Sequence, residues 1–302
     1  MQGGGDNGGT HVIKGLIRTM RPKQWTKNVF VFAALVFDRK LFVPLLFAKT
    51  VIAFILLCMI SSTVYLINDL VDIEKDRQHP RKRQRPLPSG QLKPGVAIVA
   101  AMVIPAICLP LSFLLDFHFG LIVTGYLLVM IAYSFWLKNM VIVDVLTIAT
   151  GFVLRVAAGI PMVHVERFSP WLYVCTTLLA LFIGFGKRRH ELSLLQANAN
   201  NHRTVLNDYN RTFLDEMMGV VTASTVMAYS LYTFSAEGLP SNHAMMLTIP
   251  FVLYGIFRYL YLIHVRGEGG TPEEIILHDR PLQADLLLWG LTVIVILYLS
   301  KP

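Results

Sequence analysis

A chain of 302 residues that is 54% hydrophobic and only 15% charged, with a mean hydropathy of +0.55, is too apolar for two soluble domains of that total length. Apolar runs of about 20 residues recur from end to end, which excludes a single soluble core and predicts an all-α polytopic membrane protein. The formal net charge of +8 fits positive-inside loops or anionic substrates, and no nucleic-acid partner is expected.

The chain starts MQGGGDNGGT, which lacks the apolar region of a signal peptide and reads as a flexible tail. HVIKGLIRTM follows and reads as an amphipathic interfacial helix. Residues 1–20 are thus set apart from a single transmembrane domain over residues 21–302. Nine spans are expected, near residues 22–37, 42–70, 94–115, 119–137, 140–160, 170–186, 212–236, 243–264 and 282–300. Only the second half of the first is apolar, so RPKQWTKN would line a wet cavity or an interface. Cys58, Cys108 and Cys175 lie inside apolar runs without metal or disulfide spacing.

With nine spans, the N-terminus shares a side with the loops after spans two, four, six and eight. Of the 27 Lys and Arg residues, Arg39, Lys40, Lys49, Arg167 and Lys301 fall on the other side, and Arg155 and Arg258 fall within spans. This bias puts the N-terminus and the long polar loops in the cytoplasm. The expectation is a multi-pass protein of the plasma (inner) membrane whose polar chemistry faces the cytoplasm.

The second span ends in NDLVDIEKDRQHPRKRQRP, residues 68–86. On a helix, Asn68, Asp72 and Asp76 form one stripe and Asp69 lies beside it. Carboxylates this close repel one another unless a cation sits among them, and hard oxygen ligands at a helix end suit Mg²⁺ shared with a phosphate. Arg81, Lys82, Arg83 and Arg85 follow at once and read as a second anion site. The same side carries Lys23, Gln24, Lys27 and Asn28, then Tyr133 and Lys138 with Asp144. It also carries Lys187, Arg188, Arg189 and Glu191 in GFGKRRHEL, and Glu273, Glu274, Asp279 and Arg280 in TPEEIILHDRPLQ. Arg155 is deep in span five, where a charge is costly and implies a substrate-facing or carboxylate-paired role. Gly151 and Gly159, with Ala158, permit close helix packing. No phosphate-loop, dinucleotide-binding, zinc or Ser-His-Asp signature is present, so the nucleophile is expected to come from the substrate.

NDLVDIEKD matches, residue for residue, the NDxxDxxxD motif of the UbiA superfamily of intramembrane transferases. The resemblance covers the chain after its N-terminal tail. Aromatic prenyltransferases of that fold carry a second acidic motif after span six, whereas this chain has GKRRHEL. Taken with RPKQWTKN, Tyr133 and Lys138, FVLRVAAG and PEEIILHDRPLQ, that departure resembles the polyprenyl-phosphate phosphoribosyltransferase branch.

The resemblance implies a nine-helix UbiA-like bundle with a cytoplasm-facing polar cavity. It implies Mg²⁺-dependent transfer of 5-phosphoribose from 5-phosphoribosyl 1-diphosphate to a polyprenyl phosphate such as decaprenyl phosphate, with the product feeding cell-wall arabinan. Asp69, Asp72 and Asp76 would be the catalytic metal ligands, and Asn68 would support the diphosphate. Lys82, Arg83 and Arg85 would take donor phosphates; Lys138, Lys187 and Arg188 would take the donor or the lipid phosphate. Lys27 and Asn28 would sit at the cavity mouth, Glu191 would orient cations or ribose, and Tyr133 and Arg155 would complete the substrate-binding set. A homo-oligomer is compatible with this branch. An aromatic prenyltransferase of the same fold, and a transporter or lipid-carrier binding protein, are the competing expectations.

Overall fold

The computed structural model describes residues 7–78, 82–163, 170–197, 204–236, 238–267, 275–276 and 278–299. Arg81, Arg167, Glu273, Glu274 and Lys301 lie outside the described residues. Every regular element among those described is helical. Helix α1 spans Asn7–Met20, a 3-10 segment Pro22–Phe32, α2 Ala33–Phe37, α3 Pro44–Val71 and α4 Ile73–Gln78. A 3-10 turn at Lys82–Gln84 leads to α5 (Pro94–Leu115), α6 (Phe117–Phe135), α7 (Val143–Ala157) and α8 (Ile160–Val163). The chain continues through α9 (Pro170–Ala197), α10 (Arg211–Ser235), α11 (Ile249–His264) and α12 (Arg280–Leu299).

Eight helices among the described residues are long and apolar enough to cross a membrane, which makes this a multi-pass helical protein. They coincide with spans two to nine of the sequence reading. The expected first span is built differently, as the 3-10 segment followed by the short α2. Its polar first half explains the difference: Arg21 enters with a left-handed backbone at φ 53° and Pro22 starts the turn, so no regular apolar helix face is presented. At about 2.0 Å rise per 3-10 residue and 1.5 Å per α residue, the two pieces together still cover about 30 Å. The N-terminal helix begins at Asn7, so residues 7–10, expected in the flexible tail, belong to α1. Helix α1 packs on α3 and sets Met20 and Leu16 against Leu66, Leu87 and Leu92. Ile13 and Ile17 stay exposed, the pattern of a helix lying at an apolar boundary.

Two packed centres build the bundle. The first collects Leu57, Ile60, Phe119, Val123 and Tyr126 from α3 and α6, with Val31 and Leu35 from the N-terminal segment. The second collects Phe182, Phe185, Leu214, Met218 and Tyr259 from α9, α10 and α11. Helix α7 joins them: Val145 belongs to the second centre and Leu154 packs on the first. Helix α5 runs outermost, exposing Val99, Met102, Ile107 and Leu114 as a lipid-facing surface. It carries Pro105 and Pro110 inside its span, which membrane helices tolerate better than soluble ones. At Gly159 an added Cβ would lie 2.0 Å from the Val31 carbonyl oxygen, so only glycine lets the 3-10 segment approach the α7–α8 junction.

Candidate active site

The second half of helix α3 carries one polar face. Cys58, Ser61, Ser62, Tyr65, Asn68, Asp69 and Asp72 recur at three- and four-residue intervals, the spacing of a single helix side. Asp76 continues the line on α4 after a break at Asp72. An apolar helix therefore ends in its acids because its inward face is already polar from mid-depth.

Asp69 and Asp76 are buried, at 1% and 3% exposure, and are held by cations. Arg85 Nη1 donates to Asp76 at 2.6 Å and to Asp69 at 3.3 Å. Arg21 also donates to Asp69, at 2.5 Å, and stacks 5.0 Å over the Tyr65 ring. Lys82 lies 3.8 Å from Asp76. Asp72 faces elsewhere: Lys138 Nζ donates to both its oxygens at 2.7 and 2.8 Å, and to Asn68 Oδ1 at 3.5 Å. Lys138 is itself buried at 4% exposure and Asp72 is half-buried, so the pair is less screened by water than a surface ion pair.

The three acids thus form two adjoining groups. No three His, Cys, Asp or Glu side chains among the described residues gather closely enough to hold an ion by themselves. The donors nevertheless suit Mg²⁺. Two carboxylates already converge on one guanidinium nitrogen, and Mg²⁺ commonly takes only one or two carboxylates with waters and substrate phosphates.

A second network lies beside the first, bridged by the end of α6. Arg188, 1% exposed, donates from Nε to Asp144 at 2.5 Å, from Nη1 to Glu191 at 2.5 Å and from Nη2 to the Tyr133 hydroxyl at 3.2 Å. Tyr209 donates to the other Asp144 oxygen at 2.8 Å and accepts the Ile142 backbone N–H at 2.7 Å. Burial pushes the Tyr209 hydroxyl well above the ordinary tyrosine range, so it stays protonated as a donor. Ile142 has φ 68°, a strained value for a β-branched residue. Tyr209 clamps this turn, from which α7 starts and delivers Asp144.

The third group is deeper. Arg155, 6% exposed, donates to Asn28 Oδ1 at 2.8 Å, the Gly151 carbonyl at 2.9 Å and the Tyr126 hydroxyl at 2.7 Å. Its guanidinium also lies 4.8 Å from the Tyr126 ring centroid and 5.3 Å from that of Phe152. Asn28 is completely buried and donates to Ser61 Oγ at 3.1 Å. Ser61 and Asn68 share a face of α3 two turns apart, so this centre lies about 10 Å below the acid motif. An amide, a carbonyl and a phenol hold Arg155; none of them carries a negative charge.

The structure therefore brings Asn68, Asp69, Asp72, Asp76, Lys82, Arg85, Lys138, Tyr133, Arg188 and Glu191 to one end of the bundle. Asn28 and Arg155 sit beneath them. Arg188 bears two carboxylates of its own, so it is an anchored cation. Arg83 is exposed in the 3-10 turn, and Lys27 and Lys187 are half-buried. Arg21 and Tyr209 carry contacts that the sequence reading did not assign. Tyr209 had no motif to betray it, whereas Arg21 stood within the quoted RPKQWTKN.

A polytopic helical bundle that delivers an NDxxDxxxD motif and partner cations to one end is that of an intramembrane transferase. Residues 28–270 match the UbiA prenyltransferase family, and the chain belongs to it. It is 32% identical over 303 residues to the decaprenyl-phosphate phosphoribosyltransferase of Corynebacterium glutamicum, covering 96% of this chain and 88% of that one. It is likewise 32% identical over 288 residues to the protein of that name from Mycobacterium tuberculosis, covering 94% of each chain. The fold matches a UbiA homolog from Archaeoglobus fulgidus bound to GPP and Mg²⁺ with a TM-score of 0.70 at 18% identity, over 94% of this chain and 99% of that one.

Proposed function

We propose that this protein transfers 5-phosphoribose from 5-phosphoribosyl 1-diphosphate to a polyprenyl phosphate of the decaprenyl type, releasing diphosphate. The observation that carries the reading is the pairing of every motif acid with a cation: Arg85 and Arg21 on Asp69, Arg85 and Lys82 on Asp76, Lys138 on Asp72. A donor with a 1-diphosphate and a 5-phosphate, and an acceptor with a further anionic phosphate, needs acids and cations side by side. The names of the relatives and the basic GKRRHEL support the same choice over an aromatic prenyltransferase.

Asp69, Asp72 and Asp76 would hold Mg²⁺, directly or through water, with Asn68 beside them. Mg²⁺ would neutralise charge on the departing diphosphate. Lys82, Arg83 and Arg85, with Lys138 and Lys187, would bind donor phosphates at the mouth. Arg188, fixed by Asp144 and Glu191, would hold Tyr133 in place. Arg155 and Asn28, deeper and short of negative charge, would attract the lipid phosphate, with Lys27 above them. The bond between ribose C1 and the diphosphate oxygen breaks, and its electron pair leaves with diphosphate. An acceptor phosphate oxygen forms the new bond to C1. That oxygen is already anionic at neutral pH, so no general base is required. Back-side attack inverts C1 and converts the α donor into a β-linked product. We further propose that this end faces the cytoplasm across the plasma membrane, that the product supplies cell-wall arabinan, and that the chain works as a homo-oligomer.

The test uses purified protein with ribose-labelled 5-phosphoribosyl 1-diphosphate and decaprenyl phosphate, with and without Mg²⁺. Label should pass into the lipid fraction with equimolar diphosphate only when Mg²⁺ is present. Turnover of a prenyl diphosphate with an aromatic acceptor, and none with the phosphoribosyl donor, would overturn the assignment.

A further inference from the structure

Arg188 and Arg189 are successive on α9 but turn to different neighbours. Arg188 reaches Asp144 on α7, whereas Arg189 reaches Asp215 on α10. Beyond Arg189 lies a cavity of about 270 Å³ lined by Arg189, His190, Arg211, His264 and Arg266, with Ser193 at its side. None of these residues belongs to the acid motif or to its cation partners. Three of them are arginines and two are histidines. Asp215 is hydrogen-bonded to Arg189 and lies 3.3 Å from His264 Nε2. Arg189 is 4% exposed, so its guanidinium is largely withdrawn from water and favours a fixed anionic partner. Arg211 is the first residue of α10, where the positive end of the helix dipole adds to the same field.

We propose that this cavity, between α9, the start of α10 and the end of α11, is a second anion site that takes a phosphate group. Arg189, Arg211 and Arg266 supply the charge, and Asp215 occupies Arg189 until the ligand competes for it. A free phosphate and the head group of an anionic lipid present the same oxygens to this site. The site is independent of the proposed transfer reaction.

The experiment uses the full chain in uncharged detergent, with inorganic phosphate titrated by calorimetry. Wild-type protein should show a class of sites that Arg211→Gln with Arg266→Gln weakens roughly tenfold or more, while Arg211→Lys with Arg266→Lys retains it. Circular dichroism and gel filtration establish that each variant is folded. Asp215→Asn should tighten the same class by removing the competing acid, and this arm stands if the glutamine variant fails to fold. The lipid arm repeats the titration in nanodiscs of phosphatidylcholine with or without phosphatidylglycerol. Competition by phosphatidylglycerol assigns the site to a lipid head group, and its absence assigns it to free phosphate. Equal phosphate affinity in wild type and Asp215→Asn, or in wild type and a folded glutamine variant, would overturn the proposal.

Discussion

Lys138 and Arg85 hold the motif acids in different ways, and single substitutions should separate them. Lys138 grips both oxygens of Asp72, so Asp72→Asn removes the negative partner of a buried ammonium as well as a proposed metal ligand. It should leave a folded protein with turnover reduced by about a hundredfold or more, judged by the scale of lost transition-state charge stabilisation. Near-normal turnover in saturating Mg²⁺ would count against the metal assignment. Tyr209→Phe tests the neighbouring network. It leaves the Ile142 N–H and one Asp144 oxygen without their partner, which should cost about 1–3 kcal/mol. A thermal unfolding midpoint in detergent that does not move would show that the clamp is dispensable.

At the scale of elements, the approach of the 3-10 segment to the α7–α8 junction depends on Gly159. Gly159→Ala puts a methyl group against the Val31 carbonyl, where backbone must move. The expected loss is about 1–3 kcal/mol of stability, seen as a lower unfolding midpoint. Reduced turnover should accompany it, because the same segment carries Asn28 to Arg155. The α11–α12 junction has its own device. Asp279 accepts from the Leu282 N–H at 2.9 Å at the start of α12 and pairs with Arg258 on α11 at 2.8 Å. The Arg258 hydrogen bond holds the Asp279 carboxyl below its usual range. Its contribution to stability is therefore complete above the unfolded carboxylate value, about 4, and is lost as pH falls through the lower folded value. Thermal melts between neutral and acidic pH should show this loss in wild type and a reduced slope in Asp279→Asn.

For the whole molecule, the charge bias predicts that Ser89 and Asn242 face opposite sides of the membrane. An impermeant thiol reagent applied to intact cells should label Asn242→Cys and spare Ser89→Cys; the reverse pattern would invert the proposed orientation. Much of this organisation was legible in the chain. Spans two to nine follow from long apolar runs, because a bilayer imposes length and polarity on every crossing helix. The polar face of α3 follows from the three- and four-residue spacing that runs to Asn68 and Asp69, but the single stripe expected for Asn68, Asp72 and Asp76 does not persist: α3 breaks at Asp72, and Asp76 on α4 shares Arg85 with Asp69 instead. The first span was less legible, since hydropathy cannot distinguish a 3-10 segment from an α-helix. Which cation meets which acid was hidden too: Arg21, Lys138 and Arg85 lie 48, 66 and 9 residues from their partners Asp69, Asp72 and Asp76, and only packing sets such pairings. Arg155 extends the consequence from folding to selection among lipids. In the role proposed for Arg155, a cation surrounded by neutral groups would work as a charge filter: an acceptor ending in phosphate would complete it, while the corresponding free alcohol would leave it uncompensated. Polyprenol should accordingly fail to compete with polyprenyl phosphate, although the two share the same tail.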